Sequence, residues 1–469
     1  MAIFDRRHRQ ELDNLVEEYE RQPSIPRREF LQRAMAAGMS VSAASALLAA
    51  CGGPGGSTGG VTASSTPAKV TSLDALVEYG DGELESFKAQ IAAFTNKTKI
   101  SVNVESTRDL LAVLNTRVRG NNPPDICGMP SLSEFQNLAK QGKLVQLDKY
   151  FDMGQIQQNY AKAWVDLASV NGHLYAVLPK ANNKNTVWYN PTQFQAAGGT
   201  VPQTWNDLIS VSDKIANSGK YPWALGVESG ASSGWPATDW IALIYMGKYG
   251  PDMYNQWVQH KIPWTHASIK DAFQMFGQIF QGKHYINGAP QSILATNFQD
   301  STYQPFTTPP KAYMICLGDF TAGFITGQFK NLKAGTDFNF FPFPTINDQY
   351  KGGIIGGADI MVAMKDNDGT RQFMQFMASA EAQTIWVKRG GATSVNKAVN
   401  LSDYPDPVSK QSAQMLTNAT AATLSVGDLV PSSLQTAYWK NILTYIQDPK
   451  QLDSVLSTIE STAQTAYQS

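Results

Sequence analysis

Apolar positions along residues 72–129 switch repeatedly between two periods. SLDALVEYG, from Ser72, alternates as a strand does. Leu84, Phe87, Ile91 and Phe94 then recur three and four residues apart, the spacing of one helix face. Ile100, Val102 and Val104 of ISVNVES alternate as a half-buried strand, and Leu110, Leu111, Leu114 and Val118 make a second helical stripe. PPDICG follows a proline break as a short buried strand, with Asp125 shaping its turn. The order β-α-β-α-β predicts an α/β fold in which a mainly parallel sheet is covered by helices.

The pattern continues less regularly. HLYAVLPK, TVWYNP, YPWALGVE and KAYMICLGD read as strands, and GGIIGGADIMVAM as a glycine-studded strand region. Residues 204–216 predict a helix with Thr204 as N-cap and Asp207 three residues on. Residues 235–281 and the chain from Ser409 onward read as mostly helical, and residues 318–329 as a helix leaving KAYMICLGD. There is no internal repeat and no coiled-coil heptad.

The start of the chain has a different texture. Residues 34–50 carry no charge and run for about 17 residues, short of the roughly 20 that a spanning helix prefers. Arg27, Arg28 and Arg33 flank the run on its N-terminal side, the layout of an export signal. RREFLQ, from Arg27, resembles a twin-arginine signal, and LAAC, ending at Cys51, resembles a lipobox in which the cysteine is lipidated. Residues 1–50 are therefore expected to be a signal peptide. Residues 51–69, from CGGPGGSTGG onward, are expected to form a lipidated cysteine and a flexible tether. Acyl chains on Cys51 would anchor the body to the outer face of the cytoplasmic membrane. Cys127 and Cys316 belong to no CxxC, so two buried free thiols are expected.

Composition narrows the chemistry. The chain has 469 residues, 42% of them hydrophobic and only 16% charged, against about 25% charged in soluble proteins generally. Lys+Arg 38 balance Asp+Glu 39, so there is no basic excess for nucleic acid. A neutral, hydroxyl-rich ligand suits that balance. None of the Gly-Lys pairs completes a phosphate-binding GxxxxGK[ST], since Leu144, Tyr221, Tyr249 and His284 follow them. The histidines show no metal-binding spacing, and neither metal nor cofactor is expected. Residues 230–234, GASSG, match GxSxG, but the last histidine is His284, with much of the expected sheet still to come. A glycosidase would need two cleft carboxylates, for which Glu228, Asp239 and Asp319 are candidates.

Several blocks, taken in order, resemble one family. HLYAVLPKANNKNTVWYNP, VPQTWNDLISVSDKI, NFQDSTYQPFTTPPKAYMICLGDFTAGFI, NFFPFPTI and SAEAQTIWVKRGGATSVNK are similar to the family 1 extracellular solute-binding proteins of ABC importers. Their nearest likeness is to the maltose-binding-protein-like, α-glucoside-type branch. The resemblance implies two α/β lobes of the type II periplasmic-binding-protein fold, with a ligand cleft between them. It puts 70–184 and 346–401 in lobe 1, 185–345 and 402–469 in lobe 2, and hinge crossings near 183–185 and 345–349. It implies a monomeric receptor for a neutral glucoside-like mono- or oligosaccharide that works by closure without bond chemistry. Its partners would be the permease subunits and a separate ATPase. An exported glycoside hydrolase and a receptor for a non-sugar solute are the alternatives.

The resemblance also implies a site. Asp81 and Glu83 follow the first strand, and Arg108 and Asp109 open the second helix; all four would meet sugar hydroxyl edges. Glu228, Trp235, Asp239 and Trp240 would form the second lobe's platform, with Asp319 and Phe320 at the end of KAYMICLGD. Gly356 and Gly357 would let backbone approach the ligand beside Asp359, and Trp439 would stack from a late helix. Trp223 and Trp386 are expected in the core. Cys127 and Cys316 depart from the family pattern at their positions.

Overall fold

The protein is described by a computed structural model covering residues 70–129, 132–281 and 284–468. Arg27, Arg28, Cys51 and the tether lie outside the described residues. The opening alternation folds as read: β1 (Ser72–Val77) and β2 (Ser101–Ser106) flank helix α1 (Asp81–Thr98), and helix α2 (Leu110–Arg119) leads to β3 (Ile126–Met129). β1 pairs in parallel with both β2 and β3. Phe87 and Phe94 of α1 are fully buried, each burial contributing about 1.5–3 kcal/mol, and the helix stops where Lys99 turns left-handed at φ 64°.

Further along come a hairpin, β4 (Ser169–Val170) and β5 (His173–Leu174), then β6 (Ala176–Val177), β7 (Ala181–Asn183) and β8 (Thr186–Tyr189). β9 (Met314–Cys316), β10 (Asn339–Pro342), β11 (Gly353–Ala358), β12 (Ile360–Ala363) and β13 (Ala421–Leu424) complete the strands. The first sheet has the order β2-β1-β3-β12-β6, with β12 antiparallel to its neighbours. The second, β10-β8-β9, is antiparallel throughout, where a mainly parallel sheet was expected. In a third, β13-β11-β7, β11 runs parallel to β13 and antiparallel to β7.

The connection between these sheets positions the site. β6 pairs with β12 and β7 with β11, so two adjacent strand pairs run side by side from one sheet into another. The registers Met361↔Val177 and Ala358↔Ala181 place Lys180 opposite Asp359 at the step between sheets. Asn185 ties the step down: its Oδ1 accepts from Ile355 N–H at 2.7 Å and its Nδ2 donates to Gly353 O at 3.1 Å.

YPWALGVE is extended but forms no ladder. Only Trp223 and Glu228 make bridges, to Met314 and Asn297. A Cβ on Gly226 would lie 2.7 Å from Thr296 O, so another backbone crosses where a neighbouring strand would need side chains. Thr204 caps Trp205–Asn217 through a full capping box with Asp207. Each half has its own core. Cys127 sits in the first, on β3 between β1 and β12, and Cys316 in the second; both thiols are buried and free. Trp223 and Trp386 are core residues.

Candidate functional site

A cleft of about 860 Å³, its open mouth included, lies where the sheets meet. That is within the roughly 300–1,000 Å³ usual for small-molecule sites. One wall carries Glu78 and Tyr79 at the end of β1, Glu83 in α1, Arg108, and Asp359 after β11. The other carries Trp235 and Asp239 of helix α3 (Trp235–Val258), Phe298, Phe320, and Trp439 of a late helix (Ser432–Gln447). Lys180 and Lys184, at either end of β7, form the floor.

The aromatic wall depends on two glycines. α3 begins after Gly234, whose φ of 108° favours glycine and whose added Cβ would meet Trp439 O at 2.5 Å. A Cβ on Gly427 would press the Trp439 indole nitrogen at 3.2 Å. These two openings bring Trp235 and Trp439 into one cleft. Trp235 packs edge-on against Phe298 and Phe320, at 5.1 and 6.0 Å between ring centroids.

Charge is arranged around the two lysines. Lys180 Nζ donates to Glu83 Oε1 at 2.6 Å and pairs with Asp359 Oδ2 at 3.0 Å, while lying 5.1 Å over the Trp386 ring. Lys184 Nζ pairs with Asp239 Oδ1 at 3.0 Å and Asp428 Oδ2 at 3.4 Å, 5.6 Å over the Trp235 ring. Burial lowers the pKa of both lysines, but the paired carboxylates outweigh it and hold both ammonium groups above their ordinary range. Burial also pushes the Asp428 carboxyl up to about 6 against the pull of Lys184. Glu78 goes further. Burial raises it to about 8; Arg108 pulls it down, and the charges of Asp359, Glu83 and Asp428 push it up. At neutral pH it is mostly protonated and can donate a hydrogen bond. Arg108 has no ion-pair partner among the described residues and lies 5.1 Å over the Phe298 ring.

These groups suit a polyhydroxylated guest: acceptors and donors for hydroxyl edges, indole faces for C–H surfaces. Residues 80–384 match the family described as bacterial extracellular solute-binding protein. The chain belongs to this family. Among relatives, the osmoprotective compounds-binding protein GgtB of Synechocystis sp. is 32% identical over 415 residues, covering 88% of this chain and 96% of that one. The alpha-glucosides-binding periplasmic protein AglE of Rhizobium meliloti is 30% identical over 384 residues, covering 79% and 83%. In fold, the solute receptor AcbH, reported to prefer β-D-galactopyranose, superposes with a TM-score of 0.75 at 21% identity, covering 84% of this chain and 99% of that one. A chitin oligosaccharide binding protein gives 0.74 at 17%, covering 85% and 100%. This solute-binding protein thus has the two-lobed type II architecture, and no helix among its described residues is long and apolar enough to cross a membrane.

Of the residues singled out from sequence, Glu83, Arg108, Trp235, Asp239, Phe320, Gly357, Asp359 and Trp439 line the solute-binding protein's cleft. Asp81 opens α1, and its side chain lies outside what is described. Five others lie outside its lining. Trp240 packs in the core between Trp223, Phe276 and Phe343. Asp319 is buried, its Oδ2 accepting from Ser412 at 2.7 Å and Thr393 at 2.9 Å. Glu228 braces the 229–234 loop, accepting from Gly230 N–H at 2.8 Å and Asn297 Nδ2 at 2.7 Å. Asp109 is exposed outside the cleft, at the start of α2. Gly356 lies in the β11 ladder, opposite Asn183. The room beside Gly357 is taken by the Lys184 stem, which a Cβ would meet at 3.0 Å, so that glycine admits a lysine. Sequence reasoning missed Glu78, Lys180, Lys184 and Asp428. The signal was present in part: PKANNKN brackets a short uncharged strand with two lysines in a chain poor in charge.

Proposed function

We propose that this chain is the carbohydrate receptor of an ABC importer, closing on a neutral glucoside-like mono- or oligosaccharide and delivering it to a membrane permease with a separate ATPase. The observation that carries the reading is the cleft itself, with lysine-tied carboxylates and Arg108 set around the faces of Trp235 and Trp439. AglE, an alpha-glucosides-binding protein, supports the same ligand class. In this reading Glu83, Asp239, Asp359 and Arg108 hold hydroxyls, and Trp235, Trp439 and Phe320 hold ring faces. The lobes divide as the family pattern implies, the body is a monomer, and Cys51 carries the lipid that keeps it at the membrane. No bond is made or broken.

The place of Glu78 favours a second reading, an exported glycoside hydrolase: it is a cleft carboxyl that burial raises to about 8, as a general acid needs. A thermal-shift and calorimetric screen against α- and β-glucosides, followed by product analysis, decides between them. The receptor reading expects a saturable melting-temperature rise with the sugar recovered intact. Release of a hydrolysis product would overturn it, as would silence across the whole library.

A further inference from the structure

Beside Glu83, Phe320 and Phe324 the cleft is bounded by closely approaching backbone. Gly82, in the first turn of α1, faces Gly323 of a helix from the other wall, α4 (Thr321–Gln328); a Cβ on Gly82 would lie 3.6 Å from Gly323 O. Gly391, with φ 77°, comes closer, an added Cβ there falling 3.2 Å from Gly323 Cα. At a further point a Cβ on Gly230 would lie 3.5 Å from Arg108 Cβ. Arg108 covers Phe298, and Phe298 packs on Phe324 at 6.0 Å, so these contacts join into one seam. Beyond it is a second hollow of about 1310 Å³, open to solvent, reached by Ser86, Lys330 and Arg389; Glu83, Phe320 and Phe324 line both spaces.

Carbon atoms in contact sit about 3.5–4.0 Å apart, so a seam this tight passes no pyranose ring. We infer that the Gly82–Gly323–Gly391 seam is a size gate, which shuts only around a glucoside of one or two rings and stays ajar around longer chains. This rests on the carbohydrate reading and narrows it. A longer chain would have to cross between Gly82 and Gly323 into the outer hollow, and its presence there would hold the walls apart. Small residues are what allow the shut state: at Gly323 a Cβ meets Gly391 Cα at an ordinary 3.5 Å, so Gly323→Ala fits, whereas the longer branched side chain of Gly323→Leu has no room between the walls.

The test titrates methyl α-glucoside, maltose, maltotriose and maltotetraose into the protein by calorimetry, and follows compaction by small-angle scattering. Expected is compaction with the one- and two-ring ligands, and binding of maltotetraose weaker by about tenfold or more, without compaction. Gly323→Leu should abolish compaction and speed release of the short ligand about tenfold, while Gly323→Ala behaves as the parent. If Gly323→Leu does not fold, Gly82→Leu probes the same contact from the opposite wall. Maltotetraose binding as tightly as maltose with equal compaction would overturn the gate, as would normal closure of the leucine variants. Failure of every glucoside to bind would overturn the carbohydrate reading, and the size limit with it. The two failures are distinct, because long chains bind in one and nothing binds in the other.

Discussion

Lys180 and Lys184 stand four residues apart at the two ends of one short strand, and each holds two carboxylates, yet they are built into different structures. Lys180 looks back into the first wall: Glu83 comes from α1 and Asp359 from the step after β11, and the lysine side chain is 3% exposed. Lys184 reaches the second wall, to Asp239 of α3 and to Asp428, and is 10% exposed. The first is a post sunk in one wall of the cleft; the second is a strut between the floor and the opposite wall. A buried ammonium whose partners are removed, or the reverse, costs several kcal/mol. The difference in embedding therefore sets which loss harms the fold and which harms binding.

The largest effect is expected at Lys180→Ala. It leaves Glu83 and Asp359 close together without a counter-charge, and should lower unfolding free energy by about 3–5 kcal/mol in urea titration. Lys184→Ala should cost less, about 1–3 kcal/mol, because Asp239 keeps its 2.7 Å hydrogen bond from Ser425 and Asp428 can take up a proton. Equal losses for the two variants would erase the distinction between post and strut. Trp235→Ala, which removes the ring under the strut, should weaken sugar binding by about 2 kcal/mol, roughly thirty-fold, by calorimetry, with a smaller change in stability.

Glu78 sharpens the comparison through pH. Its carboxyl binds a proton more tightly in the folded cleft, near 8, than at its ordinary 4.5. Folded protein therefore holds the extra proton between those values, and this group's contribution to stability falls as pH rises across that window and is level above it. Glu78→Gln should melt progressively higher relative to the parent from pH 5 to 8, with a constant gap beyond. A gap that does not change with pH would place Glu78 in water. Smallest is Ser425→Ala, expected to cost about 1 kcal/mol by removing one hydrogen bond to Asp239.

Much of the fold was legible because periodicity is local. The first β-α-β-α-β run needs only the spacing of Phe87, Ile91 and Phe94, and the cap at Thr204 needs only Asp207 three residues on. YPWALGVE misled because its strand-like composition says nothing of the backbone crossing at Gly226. Glu83, Trp235, Asp239, Asp359 and Trp439 were placed by family resemblance, and all five reach the cleft. The lysines were not legible, because a lysine beside a short strand reads as a surface residue. Lys180 is buried by Glu83, 97 positions away, and Lys184 by Asp428, 244 positions away. Trp240 and Trp235 share one helix, and only the tertiary packing sends the first inward and the second into the cleft.

Cys127 and Cys316 lie in the cores of different halves, and neither is tied to anything. Each is a built-in clock for its own half, because a thiol reagent reaches it only when that core loosens. Pulse-alkylation followed by peptide mapping would time the breathing of the two halves separately, in the unmodified protein, and would show which one a bound guest quiets.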